Sequence, residues 1–354
     1  MDYKKLDSRI YELLHKGTVI PAHPLALDAS RQLDEHRQRL LTKYYIAAGA
    51  GGVAVGVHTT QFEIRRPEFN LFEPVLRIAA EEVNKSANAD NLIKVAGITG
   101  STSNAVQEAE IASHYGYHLG LISMGGLPSL SEKELISRTK EVAAKIPLFG
   151  FYLQPAAGGR LLSYEFWNDF VNIPNVYAIK IAAFNRYQTI DVVRAVCNSP
   201  RRDEIALYTG NDDNIIGDLI TPYQFNVNGK KVEKRFTGGL LGHWAVWTSK
   251  AVELLKEIKK GNYNYESLLK KNISITDMNA VIFDAKNSFH GCIPGIHEVL
   301  RRQGLLEGTW CLNPNENMSD GQSEEIDRIY NDYPELTDDD FVKRFLEKEL
   351  KHQH

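Results

Sequence analysis

Eight short apolar runs alternate with amphipathic stretches along this chain, and that alternation leaves few architectures open. The runs occupy residues 18–27, 52–58, 92–98, 119–124, 147–153, 175–185, 204–210 and 236–242. Near-continuous apolar runs of this length suit strands buried on both faces. The stretches between them carry helical periodicity, as the crossovers of a parallel sheet do. Helices are expected over about 34–48, where Gly49 is placed to end the first, 71–85, from 104, from the Ser131/Glu134 capping box, and over 164–171, 189–197 and 245–259. Eight βα units are the count of an α/β (β/α)8 TIM barrel. A doubly wound sheet is the alternative, but no G-x-G-x-x-G follows the first run.

Two regions exceed a minimal barrel. Asn228-Gly229, between Val227 and Val232, signals a hairpin inserted near 222–234. Beyond Gly261, apolar periodicity predicts helices over 265–272, 277–289 and 296–302. A polar tail from about Asn313 follows, suited to short helices, with its last residues fraying. The expected division is a barrel over 1–260, with an N-terminal extension, and a helical extension and tail over 261–354.

The charge balance excludes several classes of function. A net charge of -4 gives no footprint for nucleic acid, and its mixed signs give no polybasic patch for a membrane. Cys197, Cys292 and Cys311 are far apart and odd in number, which fits a reducing compartment and no CxxC metal or redox site. The first residues, MDYKKLDSRIYELLHKG, lack the apolar core of a secretory signal, and no apolar run approaches the ~20 residues of a bilayer span. A cytoplasmic protein is expected.

The run NVYAIKIAAFN places Lys180 inside a strand where an ammonium needs water or a partner. One explanation is structural: a strand-end lysine whose head reaches solvent. The other is chemical. A lysine of ordinary pKa (~10.4) is free amine near pH 7 in only about one molecule in a few thousand. Burial raises that fraction and makes the amine a nucleophile for carbonyl carbon. In a (β/α) barrel, chemistry sits at the C-terminal ends of the strands. Those ends carry His23, His58-Thr59-Thr60, Ser123, Tyr152, Lys180, Asn211-Asp212-Asp213 and His243. Tyr152 and Lys180 fall on adjacent strands, and a phenol beside an amine is a candidate proton shuttle for carbinolamine formation and collapse.

Several motifs, in order, resemble the dihydrodipicolinate synthase / N-acetylneuraminate lyase family of Schiff-base-forming class I aldolases. IAAGAGGVAVGVHTTQF resembles the family's second strand and its GTTGE loop, FYLQP its Y-N-x-P fifth strand, VYAIKIA its sixth, and TGNDD its seventh. FTGGLLGHWAVWTSKAVELLKEI resembles the Gly-rich eighth strand and the helix that follows. The resemblance implies that Lys180 forms an imine with a 2-keto acid, that Tyr152 is the acid/base, and that His58, Thr59, Thr60, Gly210, Asn211, Asp212, Leu240 and His243 bind substrate. In the loop after the second strand, either Thr59-Thr60 or His58-Thr59 takes the hydroxyl positions. It also implies no metal or organic cofactor, and a homo-oligomer, dimer or tetramer.

Two departures separate this chain from true dihydrodipicolinate synthases. The tyrosine expected after the fourth strand is absent from SMGGLPS, and Ala157 stands where those synthases place an arginine, with Arg160 three residues beyond. Both changes remove bulk, so the expected substrate is a larger polar keto acid, sugar-acid derived, which Asn211, Asp212 and His243 would hydrogen-bond. The expected activity is therefore an aldolase or dehydratase acting through Lys180. Two alternatives stand beside it. One is a metal-dependent barrel hydrolase built from His23, His58, Asp212 and His243 with Lys180, which lacks a His-x-His pair on the first strand. The other is a barrel that binds a keto acid without turnover.

Overall fold

The computed structural model describes residues 3–351, in which strands alternate with helices as far as Leu241 and helices alone follow among the described residues. The strands are β1 (Val19–Pro21), β2 (Gly52–Val55), β3 (Ile93–Ile98), β4 (Leu119–Ile122), β5 (Leu148–Leu153), β6 (Val176–Ala182), β7 (Ala206–Thr209) and β8 (Phe236–Leu241). All eight are parallel and helices intervene, so the fold is the expected (β/α)8 barrel with additional C-terminal helices. The chain divides into two compact units. One comprises residues up to Thr18 together with Ile93–Leu240, and the other Val19–Leu92 together with residues from Leu241 onward.

In the first unit, β3 through β8 pair in chain order. Alternation gives each strand two faces. One face of β5 and β6 packs on the helix Tyr164–Phe170: a Cβ on Gly150 would lie 2.6 Å from the ring of Phe170. That helix has seven residues, too few to persist alone. Phe166, Trp167 and Phe170 are buried, with the Trp167 ring edge-on to both phenylalanines, and burying each contributes about 1.5–3 kcal/mol, which holds the helix in place. The opposite, inner face carries Phe149 and Tyr208, ring edge to ring face at 5.2 Å. The Tyr208 hydroxyl donates to the Leu14 carbonyl (2.9 Å) in the helix Ser8–Lys16, whose N-terminus is capped by Asp7.

The hairpin forms as its turn predicts. Tyr223–Val227 pairs antiparallel with Lys230–Lys234, and Asn228 and Gly229 both have positive φ (50° and 79°), the requirement of a tight type I′ turn. The capping box also forms. The Ser131 N–H donates to Glu134 Oε2 at 2.7 Å, and the Glu134 N–H donates to Ser131 Oγ at 3.3 Å.

In the second unit the His23 N–H donates to the Ala54 carbonyl (2.8 Å), joining the chain after β1 to β2. The helix Glu35–Ala47 opens on Asp34, and Gly49 follows its end with φ 88°. The C-terminal helices differ from expectation in one respect. The segments expected over 265–272 and 277–289 include one continuous helix, Tyr265–Ile282, because Leu268, Ile275, Met278 and Ile282 bury one face of it across Ile273–Thr276. The polar tail is anchored. Asp338 accepts from the Tyr44 hydroxyl (2.7 Å), the Ser249 N–H (3.1 Å) and Gln303 Nε2 (2.9 Å), which places it ahead of the helix Asp339–Lys351. Expected fraying at the last three residues lies outside the described residues.

Candidate active site

Lys180 lies near the middle of β6, on the inner face, and is only 7% exposed. Register explains its surroundings: Phe151 of β5 and Tyr208 of β7 are its partners across the sheet. The ammonium nitrogen sits 4.6 Å from the centroid of the Phe151 ring. Gly210, just past β7, packs on its stem, where a Cβ would lie 2.5 Å from Lys180 Cε and 2.9 Å from Ala182 Cβ. Only a residue without a side chain allows that approach. Burial pulls the amine down from the ordinary lysine range, the nearby charge of Asp212 partly opposes it, and the result is about 8.

Tyr152 requires a correction. It pairs with Ile181 and therefore points to the helix-packed face, away from Lys180. Its ring packs on Trp167 at 5.3 Å, and among the described residues its hydroxyl bonds to the backbone of Leu162, donating to the carbonyl or accepting from the N–H, each at 3.4 Å. The charges acting on it, Asp191 and Glu132, belong to flanking helices. The residue that faces the amine from β5 is Phe151, which has no proton to exchange.

Asn211 is also spent on the fold. It is fully buried, its Oδ1 accepts from the Phe184 N–H (2.9 Å), and its Nδ2 donates to Asp218 (2.8 Å) and Thr189 (3.3 Å). Asp218, absent from the expected set, gathers this corner. The same carboxylate accepts from Thr209 Oγ1 (2.7 Å), the Tyr223 hydroxyl (2.9 Å) and the Arg186 guanidinium. The available signal was a lone charge in the apolar run IIGDLI. Asp212 follows on the same loop, 8% exposed, with its N–H donating to the Gly210 carbonyl (3.1 Å), and its charge acts on the lysine. Leu240 is fully buried in β8.

The expected extra space is also filled. A side chain on Gly125 would collide with the Gly158 carbonyl, so the loops after β4 and β5 meet backbone to backbone. Arg160 closes the same corner, its Nη1 donating to the carbonyls of Leu127 (2.9 Å) and Leu130 (3.1 Å).

In the second unit, His58, Thr59 and Thr60 form one 3-10 turn after β2. The Thr59 hydroxyl donates to the Ala22 carbonyl (2.8 Å). Thr60 Oγ1 donates to the His23 carbonyl (2.7 Å) and accepts from the N–H groups of Gly56 (3.0 Å) and Val57 (3.2 Å), which occupies it within the turn. His58 lies with its ring 5.9 Å from Phe62. His243 packs near Trp247 and shares a hydrogen bond with Asn279, and burial holds its imidazole down to about 4. His23 is likewise neutral, at about 4, between the Pro24 carbonyl (Nδ1, 2.7 Å) and Thr42 Oγ1 (Nε2, 2.8 Å). Among the described residues no group of three His, Cys, Asp or Glu side chains is arranged to hold a metal ion. No described helix is long and apolar enough to cross a membrane.

The fold and site together define a parallel (β/α)8 barrel with a desolvated lysine on the inner face of its sixth strand. Residues 16–227 match the dihydrodipicolinate synthetase family, and the chain belongs to that family. Among curated relatives it is 25% identical to N-acetylneuraminate lyase 2 of Escherichia coli O6:H1 over 84% of this chain and 87% of that one. It is 29% identical to N-acetylneuraminate lyase of Citrobacter koseri over 55% and 62% of the two chains. Solved structures share the fold at low identity. Dihydrodipicolinate synthase from Oceanobacillus iheyensis superposes with a TM-score of 0.73 at 17% identity, covering 93% of this chain and 99% of that one. YagE of Escherichia coli K12, in complex with pyruvate, gives 0.71 at 17% identity over 90% and 97%.

Proposed function

We propose that this protein is a lyase, an aldolase or dehydratase, that forms an imine between Lys180 and a 2-keto acid. The carrying observation is the amine itself, buried on the inner face of β6 against Phe151 and Gly210 and lowered to about 8. Membership in a family of class I aldolases and lyases supports the same reading. Attack of the amine on C2 of the keto acid and loss of water give an iminium. It withdraws electrons from the adjacent carbon, so that a bond one carbon further on breaks to leave an enamine. Protonating the enamine and hydrolysing the imine release the product, and this chemistry uses no metal or organic cofactor. Similarity to N-acetylneuraminate lyases, and not vacated space, supports a polar, sugar-acid-derived 2-keto acid as the substrate class, and family kinship supports a cytoplasmic homo-oligomer.

The test is reductive trapping. The protein is incubated with pyruvate and a panel of longer 2-keto acids in cyanoborohydride, and the added mass is mapped by peptide analysis. We expect it on Lys180, and its complete loss in Lys180→Arg, which keeps a charge but cannot act as the amine nucleophile. Mapping to Lys94, the β3 lysine that burial also pushes down, would overturn the assignment. No adduct with any keto acid would overturn the enzyme reading.

A further inference from the structure

We propose, resting on the reading of this protein as a keto-acid lyase, that Gln61 is a positioning residue: it ties the turn after β2 to Leu312, so that the chain beyond the barrel sets keto-acid affinity. Two residues hold a backbone conformation that side chains rarely adopt. Arg31, in the loop after β1, has φ 58°, and Gln61, closing the turn after β2, has φ 66°. Such left-handed positions favour glycine, and other residues persist there only where the surroundings hold them. Here the two side chains reach consecutive residues of one distant segment. The Arg31 guanidinium donates to the Cys311 carbonyl, and Gln61 Oε1 accepts from the Leu312 N–H at 2.6 Å.

That segment, residues 303–321, joins the helices Cys292–Arg302 and Gln322–Asp332 with no helix or strand of its own. A connection this long inside a compact body is usually functional. Its first half is bound down. Arg37 Nη1 donates to the Gly304 carbonyl (3.0 Å), and its Nη2 donates to Glu307 Oε1 (3.0 Å). The Trp310 ring covers Gly308 so closely that a Cβ there would lie 2.7 Å away, and Leu305, Leu306, Cys311 and Leu312 are buried.

In a (β/α)8 barrel the loops that follow the strands bind the substrate, and His58–Thr60 is the turn after β2. One side of it is mounted on the chain after β1, through the Thr59 and Thr60 hydroxyls on the carbonyls of Ala22 and His23. The other side ends at Gln61, whose N–H closes the turn on the His58 carbonyl (2.9 Å). Gln61 is fully buried, and its Nε2 has no hydrogen-bond partner among the described residues, so the bond to Leu312 alone holds its amide. Without that bond the turn keeps one mount of two, and a keto acid must order it on binding. The cost falls on affinity and not on the chemistry of the amine.

The test measures cyanoborohydride trapping against pyruvate concentration in wild type, Gln61→Gly, Gln61→Glu and Arg31→Gly. Hydrogen exchange of the peptide spanning 56–61 and urea unfolding are recorded alongside. Glycine suits the left-handed backbone at both positions, so these variants remove a tie without adding strain. In Gln61→Gly the half-saturating pyruvate concentration should rise about tenfold, the scale of one buried hydrogen bond, with the saturating rate and its pH profile unchanged. Exchange over 56–61 should quicken by a similar factor. Arg31→Gly should move both readouts in the same direction. Gln61→Glu, which keeps an oxygen for the Leu312 N–H, should recover affinity. A merely structural role would lower the urea midpoint and leave half-saturation of the folded protein unchanged, and that result overturns the proposal. A displaced pH profile with unchanged half-saturation overturns it too. If Gln61→Gly does not fold, wild-type half-saturation and exchange in Arg31→Gly refute it. Failure of wild type to trap any keto acid is a different result: it refutes the Lys180 reading, and exchange over 56–61 then decides the tie alone.

Discussion

The most discriminating perturbation is pH, because the environment of Lys180 sets a number. Burial lowers its pKa, Asp212 partly restores it, and the balance is about 8. At pH 7 about a tenth of such an amine is free base, at pH 6 about a hundredth, whereas an ordinary exposed lysine at pH 7 is free in about one molecule in a few thousand. Since only the free amine attacks C2, the initial trapping rate at fixed pyruvate should climb about tenfold per pH unit below 8 and stop rising above it. The rate at pH 7 should stand about tenfold below its maximum; an ordinary lysine would still be more than a thousandfold below. The sign follows from the cause: burial penalises the charged form, so the nucleophile appears at lower pH than in water. The assay is intact-mass quantitation of the cyanoborohydride-trapped adduct between pH 6 and 9.5, with far-ultraviolet circular dichroism recorded at each pH. A rate that keeps rising tenfold per unit through pH 9.5, with the fold intact, refutes a desolvated amine at this position.

Two further outcomes follow from the same corner of the fold. Gly210→Ala places a methyl 2.5 Å from Lys180 Cε and 2.9 Å from Ala182 Cβ; overpacking should cost about 1–3 kcal/mol in urea unfolding and lower the trapping rate by displacing the amine, and a variant unchanged in both measurements would disprove the close approach. Condensation of pyruvate with aspartate semialdehyde should be negligible in a coupled assay, because Ala157 replaces the carboxylate clamp and Arg160 Nη1 is held by the Leu127 and Leu130 carbonyls; efficient turnover would sink that expectation.

Much of the scaffold was legible because local chemistry encodes it. The Asn228-Gly229 turn needs only two residues able to adopt positive φ, and the Ser131/Glu134 cap needs only its own first turn. The barrel follows from a count of apolar runs. Tyr152 was misread because its role depends on pairing between segments almost thirty residues apart. A register shift between Leu148 and Phe149 sets which β5 residue meets Lys180, and moving by one residue exchanges the two faces. Spacing alone matches Tyr152 to the lysine as well as it matches Phe151. Likewise Gly125 looked like vacated space, yet the carbonyl that fills it comes from Gly158, on a different loop.

Two of the charged residues inside apolar runs show where that limit falls. Lys180 in VYAIKIA and Asp218 in IIGDLI are equally conspicuous in the chain, since neither belongs in an apolar stretch without a partner. Their partners separate them. Asp218 draws donors from positions 186, 209, 211 and 223, enough to satisfy both oxygens, and so it braces the fold. The side chain of Lys180 has an aromatic ring, a glycine and one neighbouring charge around it. A buried ion with its hydrogen bonds complete has little left to react with, whereas desolvation destabilises a buried amine as a cation, by more than a facing ring restores, and leaves it reactive as a base. The distinction between a structural and a chemical charge therefore lies in how far the long-range pairing satisfies it.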